Sequence, residues 1–141
     1  MSAEITRCPN CGRRNRVPAA AAGTPQCGNC HQPLPWITDA GDDSFGEVVE
    51  AAKVPVLVDL WAPWCGPCRV VSPILEEINA DREDVVVKKV NIDDNMQIAA
   101  TYGILAIPTM ILFRNGSEAA RIQGAMPKKR IEAQLEPALA A

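Results

Sequence analysis

The sequence predicts an α/β fold, in which a central mixed sheet is flanked by helices, preceded by a small N-terminal unit. Helix and strand patterns alternate after residue 37, whereas the residues before it include few large apolar side chains. Three Cys-x-x-Cys pairs occur along the chain, two of them in the first segment. The 141 residues are 48% hydrophobic and 22% charged, which is the composition of a globular protein.

The main domain opens with a helix pattern and a buried strand. Apolar residues at helical spacing come first, with Asp42 or Asp43 as the predicted N-cap. The spaced residues are Phe45, Val48, Val49 and Ala52. Residues 54–62 are then almost continuously apolar, which predicts a strand that is covered on both faces.

The remaining elements follow as helix, strand, helix, strand, strand and helix. Their predicted spans are 65–78, 85–92, 95–102, 109–113, 118–123 and a last helix opened by Pro127. Pro73 predicts a kink in the first of these helices, and Asn115-Gly116 predicts a tight turn between antiparallel strands. Together the elements predict helices on both faces of the sheet.

The charges are divided unevenly along the chain. Residues 1–37 carry +3 and residues 38–141 carry −6, for a net charge of −3. The sequence has no large cluster of basic residues that would suggest nucleic-acid binding. No apolar run approaches the roughly 20 residues that a membrane-spanning helix needs. The first residues lack the pattern of an export signal, so we expect a cytoplasmic protein that needs neither nucleic acid nor membrane. We expect a monomer, because no feature of the sequence points to a dimer.

Two cysteine pairs, separated by 15 residues, have the spacing of a four-cysteine zinc ribbon. The predicted ligands are Cys8, Cys11, Cys27 and Cys30. Four thiolates in a tetrahedral arrangement suit zinc better than harder metals. An iron–sulfur centre, two redox dithiols, free thiols and replacement of Cys30 by His31 remain alternatives.

The first segment is too small to fold on a hydrophobic core alone. We therefore expect one structural zinc ion per chain, whose binding supplies the folding energy of a domain at residues 1–34. The main domain follows at residues 35–141, across a linker near residues 33–35. Gly12 and Gly28 are expected to supply the positive φ that the cysteine turns need.

The third pair, Cys65-Gly-Pro-Cys68, lies where the buried strand is followed by a helix. At a helix N-terminus, unpaired N–H groups favour a thiolate at Cys65, while Cys68 lies one turn further on and is expected to be less exposed. This context favours a redox dithiol. A zinc site is the alternative, but it would need two further ligands.

Four segments of residues 36–141 are similar to the thioredoxin family. They are Val56 to Cys68 with Pro73, Lys89 to Asp93, Gly103 to Thr109, and Phe113 to Gly116 with Gly124-Ala125. With the four-cysteine segment, the chain resembles the zinc-ribbon-bearing thioredoxin 2 type of bacteria. Leu60, Arg69 and Leu105-Ala106 depart from the common pattern, and the last two residues adjoin the expected partner surface.

The resemblance implies a protein-disulfide reductase. Cys65 attacks a substrate disulfide and Cys68 resolves the mixed disulfide, after which thioredoxin reductase with NADPH restores the dithiol. Asp59 matches the buried carboxylate that acts as a base for Cys68, and Lys89 matches its partner. A strand-end acid and an ordinary surface lysine are the alternatives. No tightly bound organic cofactor is implied.

The resemblance also implies an apolar surface for disulfide-containing substrate proteins beside a cis Ile107-Pro108 bond. An extended substrate segment would add to it as a strand. The expected contact residues are Trp64, Gly66, Pro67, Ile107, Pro108, Gly124 and Ala125, with Trp61 packed beneath the site.

Two other functions remain open. One is an oxidase or isomerase on the same fold, which the Gly-Pro dipeptide disfavours. The other is a zinc-controlled protein-binding or holdase module with secondary redox activity, which should tolerate Cys65→Ser. The ribbon is also a hypothetical redox sensor, in which oxidation of its thiolates releases zinc.

Overall fold

A computed structural model of the chain describes residues 3–8, 10–18, 26–32, 37–43, 45–52, 54–82 and 84–140. The predicted linker, and with it the boundary between residues 34 and 35, lies outside them. The strands are β1 (Ala3–Arg7), β2 (Arg14–Pro18), β3 (Ile37–Asp39), β4 (Val56–Trp61), β5 (Val86–Asn91), β6 (Thr109–Arg114) and β7 (Ser117–Gln123). The helices are α1 (Gly66–Asp81), α2 (Met96–Thr101) and α3 (Lys128–Ala140), with a π-helical turn at Gly46–Glu50.

The main sheet is mixed, as the sequence predicts. Its strand order is β3-β5-β4-β6-β7. Strands β3, β5 and β4 are parallel, whereas β6 runs antiparallel to β4 and β7 runs antiparallel to β6. Asn115 and Gly116 both have positive φ, 52° and 81°, and form the predicted turn between β6 and β7. The β1–β2 hairpin and the edge strand β3 are not predicted, because such short segments carry no clear periodicity.

Strand β4 is the centre of the fold and is covered on both faces. Val56, Val58 and Leu60 belong to one buried cluster, and Leu57, on the opposite face, belongs to another. This alternation follows from the two-residue period of a strand. Asp59 therefore points to the same side of the sheet as Leu57 and is fully buried there.

Helices cover both faces of the sheet. The first face carries α2 and the π-helical turn, where Phe45, Tyr102 and Phe113 pack with ring centroids 5.2–5.6 Å apart. The second face carries α1 and α3, which contribute buried residues such as Leu75 and Ile131. Pro73 lies inside α1, which continues to Asp81.

The predicted N-cap of the first helix is wrong. Neither Asp42 nor Asp43 caps the π-helical turn, whose N-cap is Phe45 without a side-chain hydrogen bond. Asp42 instead accepts hydrogen bonds from the backbone N–H groups of Gln97 and Ile98, at 3.3 and 3.0 Å. Those donors lie in the first turn of α2 and have no partner within their own helix, so the carboxylate satisfies them across the fold. The side chain of Val48, predicted on the buried helix face, lies outside what is described.

None of the helices in the described part of the chain has the length and apolar character that crossing a membrane requires.

Candidate functional site

The third cysteine pair lies at the junction of β4 and α1. Cys65 is the N-cap of α1, with extended backbone angles, and its sulfur accepts a hydrogen bond from the backbone N–H of Cys68 at 3.2 Å. The two cysteines form a disulfide, with their Cα atoms 5.3 Å apart. Pro67 lies in the first turn, where a proline costs the helix no hydrogen bond. When the disulfide is reduced, the same N–H group and the helix N-terminus favour a thiolate at Cys65.

The exposure of the two cysteines differs less than the sequence suggests. Cys65 is 4% and Cys68 3% exposed, so both are covered in the disulfide form. They pack with Ala62 into a small cluster against which Trp61, Ile92 and Ile107 also pack. The dithiol is therefore bordered by apolar side chains.

An apolar groove of about 270 Å³ lies beside this cluster. Trp64 and Ile107, both predicted contact residues, line it, and Leu105 on its wall is 97% exposed. The bond between Ile107 and Pro108 is cis, in agreement with the resemblance. Ile92 and Ile104, which the sequence patterns do not distinguish as contact residues, complete the lining with Ala106.

The other predicted contact residues are not among those that line the groove. Gly66 and Pro67 are exposed at the start of α1, and Ala125 is exposed after β7. Gly124, with φ of +87°, donates its backbone N–H to the carbonyl oxygen of Pro108 at 2.8 Å. Gly124 thus braces the cis-proline loop.

Asp93 is a site residue whose contact the sequence does not reveal. Trp64 is 68% exposed, yet its indole N–H lies 3.1 and 3.3 Å from the two carboxylate oxygens of Asp93. This contact fixes the orientation of an exposed aromatic ring beside the dithiol. Asp93 follows β5 in a turn, so only the fold brings it near Trp64.

Asp59 is fully buried in the second face of the sheet. Neither of its carboxylate oxygens has a hydrogen-bond partner among the described residues. Loss of water raises the pKa of Asp59 to about 7, and the positive charge of Lys89 acts in the opposite direction. Asp59 and Cys68 line one cavity of about 90 Å³, which also includes Lys89. The cavity thus brings the predicted carboxylate and lysine together with the second cysteine.

Lys89 is held by neighbours other than Asp59. Its ammonium nitrogen lies 3.1 Å from Ser72 Oγ and 4.7 Å from the centroid of the Trp61 ring. The second contact is a cation–π interaction. Ser72 and Trp61 line the same cavity, so these contacts hold the lysine beside Asp59 and Cys68.

The first two cysteine pairs form a second cluster. The four Sγ atoms lie within 4.8 Å of one another, with Cys8 to Cys30 at 3.6 Å and Cys11 to Cys27 at 3.5 Å. Four sulfurs about 2.3 Å from one tetrahedral zinc ion would be about 3.8 Å apart, so this arrangement can hold such an ion. None of these four cysteines forms a disulfide.

Nitrogen donors surround the sulfurs of this cluster. The backbone N–H of Cys11 points to Cys8 Sγ at 3.5 Å, and that of Asn29 points to Cys27 Sγ at 3.4 Å. Led by the backbone N–H of Cys30, such donors lower the pKa of Cys27 to about 6. The thiolate form that a metal requires is thereby favoured at Cys27.

The two cysteine turns are built alike, but one predicted glycine does not have the predicted role. In both turns the first cysteine's carbonyl accepts a hydrogen bond from the residue four positions later, Gly12 or His31. These two residues have φ of +79° and +63°, whereas Gly28 lacks a positive φ. The left-handed position follows the second cysteine of each pair, and His31 occupies it in the second turn. His31 is exposed and is not one of the four clustered ligands.

The buried carboxyl predicts a pH-dependent stability. The folded-state pKa of Asp59, about 7, lies above the 3.8 of a solvated aspartate, so the folded protein holds this proton more tightly than the unfolded chain. The group's contribution is complete below about pH 4 and is lost as the pH rises through 7. We expect the free energy of unfolding, measured with urea, to fall by up to roughly 4 kcal/mol across this range.

The Asp59→Asn variant should lose most of this pH-dependent decrease in the free energy of unfolding and should be more stable than the original protein at pH 8. Asp43→Asn, at an exposed aspartate, is the matched control and should show the same decrease as the original protein. Parallel pH profiles for the original protein and Asp59→Asn would contradict this account of the carboxyl.

The comparisons with known proteins agree with this fold and cysteine pair. The family model for thioredoxin matches residues 35–137. Thioredoxin 1 of a Nostoc species is 47% identical over 96 residues, which cover 67% of this chain and 90% of that protein. The thioredoxin of Porphyra purpurea is 46% identical over 100 residues, which cover 70% of this chain and 94% of that protein.

One similar protein extends beyond the family model. Thioredoxin C-3 of Corynebacterium nephridii is 35% identical over 139 residues, which cover 96% of this chain and 95% of that protein. A match of this extent includes most of the four-cysteine segment. The chain therefore belongs to the thioredoxin family: it has the thioredoxin fold and is a thiol-disulfide oxidoreductase whose disulfide lies at the start of α1.

Proposed function

We propose that the protein reduces disulfides in other proteins through Cys65 and Cys68. The observation that supports this most directly is the sulfur of Cys65, which caps α1. Cys65 belongs to a buried cluster against which Ile92 and Ile107 of the apolar groove pack. The Cys65 thiolate attacks one substrate sulfur, forming a mixed disulfide, and the other substrate sulfur leaves and is protonated. Cys68 then attacks Cys65, so the Cys65–Cys68 bond forms and the second substrate sulfur is released. Two electrons pass from the dithiol to the substrate.

In this proposal Asp59 accepts the proton of Cys68 during the second step. Three features support the role: Asp59 and Cys68 line one cavity, the carboxylate oxygens lack partners among the described residues, and the pKa is about 7. A base with a pKa near the working pH is suited to taking and returning a proton. Lys89, in the same cavity, moderates the charge of the carboxylate.

The groove beside the dithiol is proposed to receive an extended segment of the substrate protein. Trp64 and Ile107 provide apolar contact, and the backbone around Pro108 provides an edge for strand addition. Gly66 and Pro67 would contact the substrate from α1, and Gly124 and Ala125 from the loop after β7. Such recognition tolerates many sequences, which suits a general reductase.

The N-terminal segment is proposed to be a zinc ribbon at residues 1–34, followed by the thioredoxin domain at residues 35–141. Support comes from the 3.5 and 3.6 Å contacts between sulfurs and from their N–H donors. Cys8, Cys11, Cys27 and Cys30 would hold one structural zinc ion, which supplies the folding energy of this segment. These features support the proposal that the chain is a zinc-ribbon-bearing thioredoxin of the bacterial thioredoxin 2 type.

The proposed partners are thioredoxin reductase, which returns electrons from NADPH, and disulfide-containing proteins. Four ribbon cysteines without disulfides suit a reducing compartment, so we propose that the protein acts in the cytoplasm. We also propose that it is a monomer. The net charge of −3 gives no support for nucleic-acid binding.

The reductase function is tested by NADPH consumption with thioredoxin reductase and insulin as the disulfide substrate. The original protein should support turnover, and Cys65→Ser should abolish it because the attacking thiolate is lost. A parallel assay with dithiothreitol as the electron donor removes the need for the reductase. Ser117→Ala, on the exposed face of β7, is the control and should retain full activity.

The two assays separate the parts of the proposal. Turnover with dithiothreitol alone would contradict the proposed reductase partner but keep the chemistry. Failure of the folded, reduced protein in both assays would contradict the reductase function and favour a zinc-controlled binding or holdase module.

Metal analysis tests the ribbon. We expect one zinc ion per chain by mass spectrometry of the purified protein. Cys27→Ser should lose zinc and the hydrogen-exchange protection of β1 and β2, whereas Cys65→Ser should retain both. A chelator that strips the metal without loosening residues 1–34 would contradict a structural role.

The ribbon is also proposed to sense oxidation. Two molecules of hydrogen peroxide would oxidise the four thiolates pairwise to two disulfides, each peroxide being reduced to water, and the zinc would be released. The same metal analysis after peroxide treatment checks this, and unchanged zinc content would contradict it.

A further inference from the structure

The ammonium group of Lys89 contacts the hydroxyl of Ser72 and not the neighbouring carboxyl of Asp59. Asp59 and Lys89 are register partners on the parallel strands β4 and β5, and both point toward the face covered by α1. An ammonium group so placed would be expected to bind the carboxylate. Its nitrogen instead lies 3.1 Å from Ser72 Oγ, and both oxygens of Asp59 are left without a hydrogen bond among the described residues.

The position of Ser72 on α1 accounts for this contact. Ser72 follows Cys68 by four residues, so the two side chains lie on the same face of the helix, and both line the cavity. Serine is a weaker helix former than alanine. Helix propensity therefore does not favour serine at this position, whereas a hydrogen bond from the ammonium group of Lys89 to the hydroxyl oxygen does.

Lys89 is the cation whose position governs the charge around Asp59. From α1, the titratable groups facing the cavity are Cys68 and Arg69, and the guanidinium of Arg69 donates to the carbonyl oxygen of Pro63 at 3.0 Å. From β6, the register partner of Asp59 is Met110, which carries no charge. The buried residues that α3 adds to this face, Ile131 and Leu135, are apolar.

We propose that Ser72 is a positioning residue, which keeps the ammonium group of Lys89 away from the carboxyl of Asp59 so that this carboxyl can take and return a proton at neutral pH. The proposal rests on the proposed function of Asp59 as the proton acceptor of Cys68. When Cys68 attacks the mixed disulfide, its proton passes to Asp59, and the electron pair left on its sulfur forms the bond to Cys65. The bond between Cys65 and the substrate sulfur breaks, and that sulfur leaves with its electron pair as a thiolate. A carboxylate paired with Lys89 would be a weaker base for that transfer.

The titration of Asp59 in the full, oxidised protein tests the proposal. Carbon-13 NMR follows the side-chain carboxyl signal, which is assigned by its loss in Asp59→Asn. Ser72→Ala should lower the titration midpoint by roughly one pH unit, because the released ammonium turns to the carboxylate. Ser72→Val should do the same, whereas Ser72→Thr, which keeps the hydroxyl, should restore the original midpoint. Ser117→Ala is the matched control and should leave it unchanged.

A double-mutant cycle checks that Ser72 acts through Lys89. Lys89→Met should raise the midpoint, because the positive charge is removed, and adding Ser72→Ala to it should change nothing further. A midpoint that is unchanged or raised in Ser72→Ala and Ser72→Val would overturn the proposal. So would a lowering that persists in the Lys89→Met background.

The titration does not depend on activity, so the two proposals can fail separately. If the original protein does not reduce insulin with dithiothreitol, the proposed function fails, whatever the midpoints are. If it reduces insulin but the midpoints do not respond to Ser72, the function stands and the role of Ser72 is wrong.

Discussion

The burial of β4 on both faces is the constraint on which the redox site depends. Strands pair with both of its edges, and apolar clusters cover both of its faces. Its C-terminal end therefore leads to the surface at one defined place, where Cys65 caps α1. The same burial removes water from Asp59, which raises the pKa of its carboxyl to about 7. One structural fact thus supplies both a positioned disulfide and a buried carboxyl in the cavity that Cys68 lines.

The two groups of cysteines have surroundings that favour different chemistry. In the pair at the start of α1, a helix N-terminus stabilises negative charge on a sulfur that can also form a disulfide. In the N-terminal cluster, four sulfurs lie 3.5 Å or more apart, and those of Cys8 and Cys27 accept hydrogen bonds from backbone N–H groups, which is an arrangement suited to metal ligation. Buried residues of the N-terminal segment, including Cys8 and Val17, nonetheless belong to the same apolar cluster as Phe45 of the main domain. The segment is therefore packed with the core on one face of the sheet.

Sequence patterns predicted the features that depend on neighbours along the chain. The alternation of elements, the buried strand carrying Asp59 and the cysteine pair at its end all follow from local periodicity and turn chemistry. Ser72 and Asp93 could not be predicted this way, because each is an ordinary polar residue whose partner is brought to it by the fold. Lys88 is 1% exposed, yet no pattern distinguished it from the neighbouring Lys89. His31 was overlooked as the left-handed residue because glycine is the usual choice there.

The most direct test of the account is to identify the cysteine that attacks the substrate. In Cys68→Ser the second step cannot occur, so a mixed disulfide should accumulate when the reduced protein meets a disulfide-containing peptide. Mass spectrometry after digestion should find the peptide on Cys65, because its sulfur alone combines the helix N-terminus with the adjoining groove. A peptide attached mainly to the N-terminal cysteines, or no adduct from the folded protein, would contradict the assignment of the redox site.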